Sequence, residues 1–172
     1  MFCFWYHNKV PPFLFLREKL KAKKVKKILQ DNWANVQRKY VALVNGKVVN
    51  KKDSLKSYLA ETKTLYVYST KNEKLGRFAQ TDYEVISQNN SYSLLDIDIK
   101  TGRKNQIRVQ LNDIGHPIVG DKKYSNIKKD PLRRLCLHAY NLKLLHPITH
   151  KEINVECEIP KEFRNLAHKK SI

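Results

Sequence analysis

Between Leu95 and Pro117 the apolar residues change period, and that change limits the folds open to the chain. Leu95, Ile97 and Ile99 alternate with Asp96, Asp98 and Lys100, the pattern of a half-buried strand. Thr101-Gly102 then predicts a turn. Beyond it the apolar positions fall at Ile107, Leu111 and Ile114, steps of four and three that share one helix face. Gly115 can adopt positive φ and Pro117 cannot continue a helix, so the helix is expected to stop there. Arg103, Lys104, Asn105, Gln106 and Arg108 gather where turn meets helix, beside N–H groups that have no partner within the helix. Such an arrangement favours phosphate and other anions.

The flanking sequence predicts strands over residues 38–44, closed by the turn pair Asn45-Gly46, and over 55–59, 64–69, 78–86 and 92–99. Residues 142–145 and 153–159 read as a closing hairpin whose turn lies near 147–151. Short sequential connections favour neighbouring strands pairing as meanders. The expected class is therefore α+β, a mixed and mostly antiparallel sheet with a few short helices. A helix is expected over 24–33, with Val25, Ile28, Leu29 and Trp33 on one side and lysines on the other. Residues 1–24 combine an aromatic cluster, Pro11-Pro12 and REKLKAKK without a period, and are expected to be an atypical, poorly ordered segment ahead of a domain over 25–172. In the strand around Tyr83, Asp82 and Glu84 are expected to face solvent, and no paired-carboxylate site is evident.

Thirty-four Lys and Arg against sixteen Asp and Glu give a net charge of +18, which repels itself in a compact state unless a polyanion is near. Nucleic acid is the partner this implies; a solvated basic surface is the plainer reading. Lys122, Lys123, Arg133 and Arg134 bracket a basic stretch, KKYSNIKKDPLRR, which either grips RNA phosphates or is simply exposed. Cys3, Cys136 and Cys157 are too scattered for a disulfide framework and suit a reducing compartment. His146 and His150 are separated by Pro147, which argues against a helix aiming both at one ion, so no metal is expected. The N-terminal apolar runs are too short and broken to span a bilayer and lack the marks of a signal peptide, so a cytoplasmic location is expected.

TGRKNQIRVQLNDIGHPIVGDKKY closely resembles the TGR-x-x-QIRVH-x-x-x-x-GHPI-x-GD-x-x-Y signature of the RluA-type (ribosomal large subunit) pseudouridine synthases. It departs at Lys104-Asn105, where the family usually has Thr-His, and at Gln110, where it has His. RKYVALVNGKV resembles the family's aromatic-bearing strand, and Leu137-His138-Ala139 its LHA segment. The resemblance implies isomerisation of uridine to pseudouridine in structured RNA, rRNA or tRNA, by a monomer. The bond from N1 to the ribose breaks, the uracil turns, and C5 joins the same sugar carbon, so the resemblance implies no cofactor. The base must leave its stack and rest on an aromatic floor, while a carboxylate, kept ionised by a guanidinium, attacks or takes a proton.

By resemblance Tyr40 faces the base and Arg108 is that guanidinium. Arg103 is a possible RNA contact, and with it Lys104, Gln106, Lys122, Lys123, Arg133 and Arg134 complete the expected RNA-binding set. The family's carboxylate belongs to an HRLD-x-x-TSG segment ahead of the basic helix; the sequence does not contain it, and neither Glu18 nor Asp31 matches. A truncated or frameshifted product is favoured over a noncatalytic relative. The chain is expected to be inactive alone, to leave an open sheet edge and to accept a separate N-terminal fragment as a partner. A noncatalytic basic RNA-binding module is the alternative.

Overall fold

Among the described residues, β-branched and apolar runs form seven strands: β1 Gln37–Asn45, β2 Lys52–Glu61, β3 Val67–Thr70, β4 Arg77–Gln88, β5 Tyr92–Ile99, β6 Leu137–Leu145 and β7 Glu152–Glu156. Three α-helices accompany them there, α1 Lys19–Asp31, α2 Gln106–Asp113 and α3 Lys161–His168. The computed structural model describes residues 19–168, without the side chains of 19–24 and Ala34. The expected poor order of residues 1–24 falls mostly outside that range, and the expected boundary after residue 24 lies inside α1, which begins at Lys19.

The strands make one sheet in the order β3-β2-β4-β5-β1-β6-β7, with every pairing antiparallel. The α+β class holds. The simple meander does not: β2–β3, β4–β5 and β6–β7 pair in sequence, but β1 lies between β5 and β6, away from β2. Its composition explains the central place. Val41, Ala42, Leu43 and Val44 are all fully buried, so both faces of β1 need cover, which an edge cannot give.

Helix α2 buries Ile107 and Leu111 as its period predicts, but it ends at Asp113 and leaves Ile114 38% exposed. Gly115, at φ +80, turns the chain away before Ile114 can reach the sheet. Val109 and Gln110 take the remaining inward positions. Helix α3 was not expected. The strand predicted over 153–159 ends at Glu156, and after Pro160 the chain coils, burying Phe163 and Ala167 against β4, β5 and β1.

Cross-strand register shows which side chains share a face. Tyr40 pairs with Ile97, which pairs with Tyr83, and Thr81 pairs with Ile99 on the same side. Gln106 and Gln110 of α2 both bond the Thr81 hydroxyl, so α2 lies on the face that carries Tyr40. The other face holds Asp82 opposite Asp98 and Glu84 opposite Asp96. Asp82 does not merely face solvent as expected: it accepts from Ser54 and Gln80 and pairs with Lys100, which also bonds Asp98 at 2.6 Å.

Candidate active site and nucleic-acid groove

The turn before α2 is closed from within. Gln106 is buried; its carbonyl accepts from the Thr101 hydroxyl and the Arg103 amide, while its nitrogen donates to Gln80 O and Thr81 Oγ1. Both ends of the amide are engaged, so Gln106, expected to contact RNA, is instead an internal brace. Gln110, the residue at the departure from the family's His, is a second brace: it accepts from Thr81 and donates to Ser57 and to Leu55 and Ala79 carbonyls. Arg103 is exposed, with its Nε donating to Phe78 O, and Lys104 is ion-paired with Glu61.

With α2 fixed, Arg108 projects beside the loop that follows Gly120. Its Nε and Nη2 donate to the two oxygens of Asp121 at 2.8 and 2.6 Å, a bidentate pair. Asp121 has a side chain only 1% exposed and also accepts from the Lys123 and Tyr124 amides. Burial pushes its carboxyl up, but hydrogen bonds from Arg108 and those two amides, with the Arg108 charge, outweigh this and hold it below the ordinary carboxylate range. Asn105, in left-handed conformation at φ 54, donates to the Tyr124 hydroxyl and has its Oδ1 3.4 Å from Arg108 Nη1. The Tyr124 ring lies 4.9 Å from the guanidinium carbon. Arg108 is thus held on three sides, by Asp121, Asn105 and Tyr124.

Its remaining side opens on a groove of about 580 Å³ lined by Arg108, Gly120, Lys122, Lys123, Arg133, Arg134 and Leu135. Five of these seven residues are cations and none is acidic. The basic stretch therefore folds back beside α2 rather than trailing into solvent. Gly120, at φ +75, makes the return possible: a Cβ there would sit 2.0 Å from Arg134 O.

Tyr40 is half-buried on the same sheet face and is not among the groove residues. Burial pushes its phenol up, and the Arg38 charge beside it pulls part of the way back, so the hydroxyl stays protonated at neutral pH. Arg38 is buried against the Trp33 ring at 5.6 Å, and Gly102 leaves room for it: a Cβ there would meet Arg38 Nη1 at 2.5 Å.

Of the seven expected RNA contacts, four, Lys122, Lys123, Arg133 and Arg134, line the groove with Arg108; Arg103, Lys104 and Gln106 do not. The roles of Asp121, Asn105 and Tyr124 were missed, although the GD-x-x-Y pattern supplied the signal for two of them. Among the described residues no group of three or more His, Cys, Asp or Glu is placed to hold a metal ion, and no helix is long and apolar enough to cross a membrane.

Comparison with known proteins places the chain among relatives. A family model described as RNA pseudouridylate synthase matches residues 16–113. The chain is 33% identical over 133 residues to an uncharacterized RNA pseudouridine synthase of Bacillus subtilis strain 168, covering 76% of this chain and 43% of the relative. It is 33% identical over 162 residues to ribosomal large subunit pseudouridine synthase D of Blochmanniella floridana, covering 86% and 48%. Human RNA Pseudouridylate Synthase Domain Containing 1 superposes with a TM-score of 0.69 at 22% identity, over 82% of this chain and 61% of that one. The corresponding human protein Domain Containing 4 gives 0.66 at 24%, over 88% and 67%. The chain spans about half the length of the curated relatives it matches.

Proposed function

The chain belongs to the RNA pseudouridylate synthase family, and from that premise we propose that its groove and the Tyr40 face of its sheet form the RNA-holding part of a uridine-isomerising site. The observation that carries the reading is the set of five cations around one groove, with the neutralising carboxylate of Asp121 buried beneath them rather than exposed among them. Phosphates of a structured RNA, rRNA or tRNA in the cytoplasm, occupy the groove. A flipped uridine rests on the Tyr40 ring.

Breaking the bond from N1 to the ribose needs a carboxylate near the sugar. Asp121 does not serve, since its oxygens take two bonds from Arg108 and two from backbone amides. The proposal therefore takes the reacting carboxylate from a separate polypeptide segment, with the groove side of Arg108 holding it ionised. Alone, the chain binds RNA and forms no pseudouridine.

Filter binding over a salt series tests the first half. Affinity is expected to fall steeply with salt, and each of Arg133→Ala and Arg134→Ala to reduce the logarithmic slope by about 0.7 to 0.9, the contribution of one phosphate contact. A flat salt response removes the reading. Carbodiimide labelling of ribosomal RNA tests the second half: product formed by the isolated chain and abolished by Arg108→Ala would show that it carries its own carboxylate. A noncatalytic RNA-binding module, the second reading, is favoured by the closure of Asp121 and predicts no product when a carboxylate-bearing fragment from a relative is added.

A further inference from the structure

Beside the groove, the connection from β2 to β3 presents an aromatic ring outward on a rigid mount. Tyr66 is 40% exposed, yet its amide donates to Thr62 Oγ1 at 3.1 Å and its carbonyl accepts from the Thr62 amide at 2.8 Å. Leu65, just before it, holds φ at 61, a conformation that a branched side chain rarely takes, and its amide is tied to Thr62 O. Behind Tyr66 stands Tyr124, with ring centroids 5.1 Å apart and planes at 43°. Tyr124 in turn backs onto Arg108. Lys123 donates to Leu65 O at 3.1 Å, and its ammonium lies 5.6 Å from both ring centroids. A line of side chains thus runs from Arg108 through Tyr124 to Tyr66, with the groove cation Lys123 alongside.

A tyrosine serving only the core would be buried and would need no cation against it. An outward π-face on a backbone pinned at both N–H and C=O, beside a lysine of a groove whose charged residues are all cations, matches what an unpaired nucleotide offers: a flat base and, one linkage away, a phosphate. We propose that Tyr66 is a stacking platform for an unpaired base flanking the nucleotide held at the groove, with Lys122 and Lys123 taking its phosphate. This inference rests on the groove being an RNA site, and it specifies the RNA: a loop, bulge or single-stranded end beside the target, not continuous duplex.

The test is fluorescence anisotropy of the full chain with two labelled RNAs that share one stem, one blunt and one extended by unpaired nucleotides. Tyr66→Ala is expected to weaken binding of the extended RNA by about ten-fold, the scale of one lost base stack, and to leave the blunt stem unaffected. The salt slope should not move, because stacking releases no counterions. Tyr66→Phe and Tyr66→Trp should bind as the wild type does. Tyr66→Leu, which keeps apolar bulk against Tyr124, should behave like Tyr66→Ala, separating stacking from support of the fold. Salt-dependent binding that is indifferent to Tyr66, or a loss equal on both RNAs, overturns the inference and leaves the groove reading intact. No binding of either RNA by the wild-type chain overturns both.

Discussion

Replacing Asp121 by asparagine keeps its shape, removes its charge and isolates what holds Arg108 in place. A guanidinium bonded at 2.8 and 2.6 Å to a buried carboxylate is left facing a neutral amide, and breaking such a pair costs about 3 kcal/mol. The folded carboxyl titrates below its ordinary value, so its contribution is complete above the unfolded value of about 4 and is lost as pH falls through the folded one. Urea melts across a pH series should show the wild type losing stability on acidification below about pH 4 more steeply than Asp121→Asn. Parallel curves would mean that Asp121 does not carry this linkage. At this scale the sequence displayed the cations and hid their partners. Arg108, Lys122 and Lys123 were legible by type, but that Asp121 lies beneath Arg108 depends on the path of the chain after Gly115. Gln106 misled for a related reason: an amide in the first turn of a helix can face an anion or close its own turn, and only the position of Thr81 decides.

Elements were legible where a period ran long enough. Strand β5, Tyr92–Ile99, coincides with its predicted range, because six of its eight residues are buried and polar Ser91 and Lys100 flank it. Helix α3 escaped notice because eight residues carry only Phe163, Leu166 and Ala167 as a pattern and follow a β-rich stretch. The central position of β1 is a property of the assembled sheet, which alternation within one strand does not express. The loop from Gly120 to Arg134 offers a test at this scale. Gly120 and Gly115 both hold positive φ, at 75 and 80, but a Cβ at Gly120 would collide with the Arg134 carbonyl whereas nothing lies within 4 Å of Gly115. Gly115→Ala should therefore cost only backbone strain, about 1 kcal/mol. Gly120→Ala must also displace the return of the loop, and should cost about 3 kcal/mol and lower RNA affinity together with stability. Equal midpoints for the two variants in urea would contradict the contact that defines the groove.

For the whole molecule, the charge of +18 acts on folding and on binding with opposite signs. The acids that moderate it are placed unevenly. Asp82, Glu84, Asp96 and Asp98 share the face away from α2, each pair meeting across β4 and β5 with Lys39, Lys52 and Lys100 between them. The groove cations have no acid lining the groove with them, although Glu61 pairs with Lys104 and exposed Glu162 stands beside Arg134. A polyanion is thus drawn toward the side that holds Tyr40 and Arg108. In the free chain those clustered cations repel one another, and added salt relieves the repulsion over a Debye length of about 8 to 10 Å. The melting temperature of the free protein should therefore rise between about 10 and 150 mM salt, while RNA affinity falls over the same range. Lys122→Ala, which removes one groove charge, should reduce both dependences, whereas Glu84→Gln on the opposite face should leave the slope of RNA binding unchanged. A melting temperature that falls with salt would mean that ion pairs such as Lys100 with Asp98, rather than repulsion in the groove, dominate the electrostatics of the fold.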